Sequence, residues 1–273
     1  MTLSAPATIF RVELAILTRR IWLQIATLVG LLILGIVALV AAGQSGQHQI
    51  DILETNSASL LLIGGMAIAI GLGGGAFSRD ASSGYLGLLV GSGMTPSRIG
   101  AIRIAVRLVA LAAVFVIWGI GMQLVSLGIG RGINGPLIVH VGAALENAGL
   151  VLCASASLAS VIGPIAAGVF GLVVFICAQA VVNLKADLDQ GAIDRSSRVF
   201  IAPVFSILPR AIVSPMIAAL QHRKDAGPAA PTIDINGLTV YVPASRPLDV
   251  IWTLLWTLIF AGLATYGVRR RQL

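Results

Sequence analysis

Residues 21–42 form one apolar stretch, interrupted only by Gln24. A bilayer's hydrocarbon core is about 30 Å thick, and a helix needs about 20 mostly apolar residues to cross it. In lipid every backbone N–H and C=O must find a partner inside the protein, so such a run predicts a transmembrane helix. The run recurs. Residues 57–77 are apolar and turn glycine-rich toward their end, and residues 104–127 carry Arg107 in the first turn and Gln123 near the far end. After the turn-like Gly130-Arg131-Gly132-Ile133-Asn134-Gly135-Pro136 comes 137–182, too long for one span. Gly163-Pro164 divides it into 141–161 and 165–182. Residues 250–268 make the last run. The fold class expected is an all-α polytopic membrane protein of six spans, a single transmembrane domain over residues 1–273.

Composition agrees. Only 11% of residues are charged and the mean hydropathy is +0.97, whereas a soluble domain carries about 25% charged residues. The net charge of +7 is distributed at the ends of apolar runs, and aromatics are only 5% of the chain. That pattern points to a membrane surface and not to nucleic acid. Arg11, Glu13, Arg19 and Arg20 precede a run too long for a signal-peptide core, so no cleaved leader is expected. Cys153 and Cys177 lie within apolar runs and read as packing residues, with no disulfide or zinc spacing. His48, His140 and His222 form no catalytic or metal-binding set, and no catalytic residue is assigned. The run Gly71-Leu72-Gly73-Gly74-Gly75 lacks the Gly-Lys-Ser/Thr close of a phosphate loop. Gly71 and Gly75, four apart, read instead as a small-residue packing stripe, compatible with a dimer interface.

Lys and Arg near span ends orient such a protein, with the richer side cytoplasmic. An inside amino terminus puts Arg11, Arg19, Arg20, Arg79, Arg98, Arg103, Arg107 and Arg269–Arg271 on the cytoplasmic side. The short outer loops then hold Arg131 with Asp51 and Glu54. Both termini are therefore expected in the cytoplasm. The long segment 183–248 faces out. Within it, 199–220 is apolar but broken by Pro203, Pro209 and Pro215, which argues against a span and for short interfacial or re-entrant helices. Residues 238–242 read as a short strand.

The loop between the second and third spans is the most informative stretch. It leaves the membrane at Arg79-Asp80, continues through an apolar, glycine-bearing segment, and turns at Thr95-Pro96 into a basic helix. Thr95 suits an N-cap and Pro96 the first helical position. A surface helix here can be gripped by a soluble partner, or can simply pack on lipid headgroups.

At these residues the chain resembles the permease subunits of ABC transporters of the type 2 exporter class. The resemblance runs through Arg79-Asp80, Gly84, Leu86, Leu88-Leu89, Gly93-Met94-Thr95-Pro96, Ile99 and Arg103. Tyr85, Gly87 and Arg103 depart from the Thr, Glu and Lys usual in that family. The resemblance implies that this loop is a cytoplasmic coupling helix docking on a separate ATPase subunit. ATP and magnesium would bind on that partner, with no cofactor on this chain. It also implies assembly with a second permease copy or a related permease, in a bacterial cytoplasmic (inner) membrane. Coupling residues are then Arg79, Asp80, Gly84, Leu86, Leu88, Leu89, Pro96 and Arg103.

The stretch from Phe10 to Arg20 also resembles the family's amphipathic amino-terminal helix, with Glu13, Arg19 and Arg20 at the family's acidic and basic positions. On residues alone, Phe10, Leu14, Ile16 and Leu17 lie mostly on one face, as an in-plane interfacial helix requires. A simple anchor for the first span fits as well. Glu146, with Gln123 as a possible neighbour, is the candidate for a translocation path, since an ionisable group within a span faces protein or water. Alternatively it lies one or two turns below the outer surface and is hydrated. The expected function is a non-enzymatic permease. The rivals are an ion-gradient-driven secondary transporter and a membrane anchor or assembly subunit.

Overall fold

The computed structural model describes residues 5–77, 94–159, 161–189, 203, 207–225 and 244–270. Among them there is no strand, and six helices are long and apolar enough to cross a membrane. The protein is an all-α polytopic membrane protein. A short helix, α1 (Ala5–Thr18), precedes the first span, α2 (Ile21–Ala42). Gln24, in the first turn of that span, donates to the Thr18 carbonyl at 3.0 Å and so satisfies an orphan acceptor at the end of α1.

The second span, α3 (Gln47–Gly74), begins ten residues before its apolar run and is interrupted by a π-helical turn at Leu60–Gly64. The third, α4 (Pro96–Gly128), has 33 residues. At 1.5 Å per residue it is about 50 Å long, well beyond the ~30 Å core. Thr95 is its N-cap residue, with extended φ and ψ, and Pro96 opens the helix as expected, but Thr95 makes no side-chain capping bond. The fourth and fifth spans, α5 (Gly135–Ala159) and α6 (Pro164–Asp189), meet at the Gly163-Pro164 break. A short helix, α7 (Pro215–Asp225), follows, and α8 (Pro247–Arg270) is the last span.

The centre of the bundle is α5, which packs on α3, α4, α6 and α8. Its apolar window is 61% buried against 22% for α2 and α8, so the latter two face the periphery. Small residues make that centrality possible. A Cβ on Gly73 of α3 would stand 2.4 Å from the Leu152 carbonyl oxygen of α5, and one on Gly171 of α6 would stand 2.9 Å from that of Val151. The pair expected from sequence, Gly71 and Gly75, makes other contacts: Gly71 faces Trp22 of α2, and Gly75 sits against the end of its own helix. The close contacts shift to Gly73 and Gly74 because those two point at α5 and α6. The stripe packs helices within the chain.

Trp118 of α4 anchors the opposite side. Its indole fills the space beside Gly30 of α2 and Gly64 of α3, and its Nε1 donates to the Thr27 carbonyl at 3.1 Å. The π-helical turn of α3 lies against this ring and Phe115.

The end of the bundle holding α1, the close of α3 and the start of α4 is called here the motif end, and the other the far end. At the far end, Gly130 and Gly132 take positive φ (75° and 72°) in the tight α4–α5 connection. Gln123 exchanges two hydrogen bonds with the backbone of Asn134, at 3.0 and 2.9 Å. Asn134 in turn caps α5 through Leu137 N–H and donates to Glu54 of α3.

Candidate functional site

Arg107 is 5% exposed in a chain whose interior is apolar. Its guanidinium donates to the carbonyls of Leu72 (3.1 Å), Ala76 (2.9 Å) and Gly75 (3.4 Å) at the close of α3. A fourth bond goes to the Arg103 carbonyl one turn back, at 3.0 Å. The last carbonyls of a helix have no intrahelical partner and carry the negative end of its dipole, so a cation there is stabilised. Arg107 thus closes the helix that enters the motif loop from a position on the helix that leaves it.

One turn earlier, Arg103 Nε pairs with Glu13 of α1 at 3.1 Å, with side-chain exposures of 4% and 12%. Arg20 joins the same cluster: with Glu13, Leu17 and Arg107 it lines a small cavity of about 10 Å³. Three arginines and one glutamate therefore converge from α1, the α1–α2 junction and α4. Both stems of the loop are packed beside them, since Ala76, Phe77, Met94 and Ile99 are all buried.

Of the residues expected from sequence, Glu13, Arg20 and Arg103 are brought together here, and Pro96 opens the supporting helix. Arg19 is exposed and stands apart from the ion pair. On α1, Phe10, Leu14 and Leu17 pack inward while Ile16 is 48% exposed, so Ile16 leaves the inward face. Arg79, Asp80, Gly84, Leu86, Leu88 and Leu89 lie outside the described residues, as do the 238–242 strand and Arg271. Arg107 was passed over in sequence as a first-turn residue. The signal was present: an arginine four residues after Arg103, inside an apolar run, needs a buried partner.

The translocation-path candidates part company. Gln123 is committed to Asn134 and makes no bond to Glu146. Glu146 is half-buried, with Oε1 enclosed and without a hydrogen-bond partner. Because α5 starts at Gly135 and not at 141, Glu146 stands ~16 Å along the helix, near its middle. That is about three turns from the start of the helix and not one or two. On its side of α5, Val139 and Gly142 are exposed toward the far end, while Leu150 and Cys153 are buried toward the motif end. Glu146 marks the floor of that uncovered face.

Beside it, Asn147 holds a stretch of non-helical chain within the bundle. Asn147 Nδ2 donates to the Ile212 carbonyl at 2.9 Å, and the Ile212 N–H donates back to Oδ1 at 2.8 Å. Other backbone groups of this segment and of the two residues before it are also met. Ala211 N–H reaches the Ala178 carbonyl, and Val213 exchanges bonds with Ser245. Trp252, Trp256 and Thr253 donate to the carbonyls of Leu208, Ile207 and Arg210. Non-helical chain at membrane depth is tolerated only where protein satisfies it in this way. Ser214 ends the segment, accepting from Ile217 N–H at the start of α7 and bonding His140 Nδ1 at 2.8 Å. Where short interfacial or re-entrant helices were expected in 199–220, the described residues hold irregular chain at 209–214, followed by a helix from Pro215.

Among the described residues no group of three or more His, Cys, Asp or Glu is placed to hold a metal ion. No protein-family model matches the chain, and no curated protein matches its sequence at a significant level.

Proposed function

We propose that the chain is the transmembrane permease subunit of an ATP-driven ABC transporter of the exporter type. One observation carries this reading: the loop at 79–103, with its resemblance to a coupling helix, emerges where Arg107 and the Glu13–Arg103 pair tie three helices together. A push on the loop is delivered to its two stems. Arg107 joins the stems to each other, and Glu13 joins them to α1, so the three move as one body against α5. A loop that only rested on headgroups would have no use for such a joint.

In this reading a separate ATPase subunit binds ATP and magnesium, and its closure drives the loop. A second permease copy or a related permease completes the transporter. The chain sits in a bacterial cytoplasmic membrane with both termini cytoplasmic, a placement supported by the arginines gathered at the motif end. Glu146 and the uncovered face of α5 above it serve as part of the path. The test replaces Leu88 and Leu89 with Asp in the full-length chain. Co-purification of the ATPase subunit is expected to fall at least tenfold while the permease still inserts in the membrane. Undiminished co-purification sinks the proposal.

Glu146 also favours a second reading, an ion-gradient-driven transporter, because a mid-span carboxylate can carry a proton or cation. Transport that survives ATP depletion and stops with an uncoupler selects that reading.

A further inference from the structure

Away from the motif end, a cleft of about 70 Å³ opens where the last turns of α6 meet the start of α8. Val182 and Ala186 form part of its apolar wall, and its charged lining is Lys185, Arg210, Arg246 and Asp249. Asp249 is fully engaged. Arg210 Nη1 lies 2.5 Å from Oδ1, and the Arg246 backbone N–H donates to Oδ2 at 3.0 Å. Lys185 Nζ stands 3.9 Å from the same Oδ1, beyond hydrogen-bond range. Two cationic side chains thus share one carboxylate, and with Arg246 also in the lining the described part of the cleft is net positive.

Lysines and arginines at a membrane interface ordinarily reach outward separately. Arg210 and Lys185 converge on Asp249 instead, and tertiary structure holds Arg210 there. Arg210 arrives on the irregular segment at 209–214, where its own carbonyl accepts from Thr253 Oγ1 at 2.6 Å. The cleft has room for several water-sized groups, and so for a small oxyanion. Charge-assisted bonds from Lys and Arg suit phosphate and carboxylate oxygens.

We propose that the cleft at the far end of α6 and α8 binds an oxyanion, the phosphate or carboxylate of a lipid headgroup or of a free anion. Lys185 and Arg246 supply the charge that Asp249 does not neutralise. The proposal is independent of how transport is driven.

The test uses the full chain in phosphatidylcholine nanodiscs, with thermal unfolding followed by tryptophan fluorescence. One arm adds phosphatidylglycerol to the bilayer and the other adds inorganic phosphate to the buffer. The midpoint is expected to rise in at least one arm. That rise is expected to fall at least twofold in the K185Q/R246Q double variant and to persist in Arg269→Gln, at the opposite end. A rise in the lipid arm alone identifies a headgroup, and a saturable rise with phosphate identifies a free anion. If the double variant does not fold, Lys185→Gln alone makes the same comparison, since that side chain is 37% exposed. No rise in either arm, or a rise that the Lys185 and Arg246 variants keep, overturns the proposal.

Discussion

Arg107 does work at a single position that no local pattern could replace. Its guanidinium serves three helix-end carbonyls of α3 and one of its own helix, and each bond to a charged group contributes about 1.5–3 kcal/mol when made in a dry site. Lysine keeps the charge but has three donors and no planar fork, so it cannot reproduce the geometry. In the neighbouring pair Arg103 is buried and Glu13 partly so, and leaving the buried member of such a pair alone costs up to about 3–5 kcal/mol. Glu13→Gln and Arg103→Gln are therefore expected to be strongly non-additive. A double-mutant cycle by denaturant unfolding in micelles should give a coupling of about 1–3 kcal/mol. Additive losses would show that the pair does not join α1 to α4.

Among elements, the decisive contact is α5 against α3 and α6. Gly73→Ala puts a methyl group 2.4 Å from a backbone oxygen, so two helices must part. Gly142→Ala, on the uncovered face of the same α5, meets nothing within 4 Å. The first is expected to lower thermal stability and folded yield substantially. The second should be neutral or gain up to about 1 kcal/mol from helix propensity. Size-exclusion profiles and unfolding midpoints of the two alanine variants, read side by side, check the assignment. Equal behaviour would place the close approach elsewhere. The irregular chain at 209–214 belongs to this scale too: Asn147, Ser245 and Thr253 supply partners that a helix would supply itself, and two tryptophans do so for Ile207 and Leu208 just before it.

At the scale of the molecule, six crossings place the connections alternately on two sides. Residues 43–46 and 129–134 fall at the far end, and 94–95 and 161–163 at the motif end. Single cysteines at Ser45 and Ile133, in a chain whose own Cys153 and Cys177 are replaced, are expected to label with a membrane-impermeant maleimide from one side only. A cysteine at Ser97 is expected to label from the other. Labelling of Ser45 and Ser97 positions from the same side would remove one span and reverse the reading of the motif loop.

Spans are legible in sequence because their signal is local: length and apolarity over about 20 residues decide whether a helix can cross. Hence Ile21–Ala42 and the Gly163-Pro164 break are recovered as read. Helix ends were less legible. Residues 47–56 continue their helix ahead of its apolar run, and 135–140 start theirs six residues before the expected 141, which sets Glu146 about three turns from the helix start. The loop motif could be read, yet its support could not, because Glu13 and Arg103 are 90 positions apart and Arg107 reaches carbonyls 31 to 35 positions away. Gln123 pointed to a path only because its true partner, the backbone of Asn134, carries no sequence signal. The amino-acid sequence by itself determined that this chain lies in a membrane and where it crosses, since hydrophobic length is summed along the chain. Which charges are buried together, which face of α5 is left open, and how chain without a helix survives at depth were decided only by tertiary structure, because each depends on partners that folding brings from distant positions.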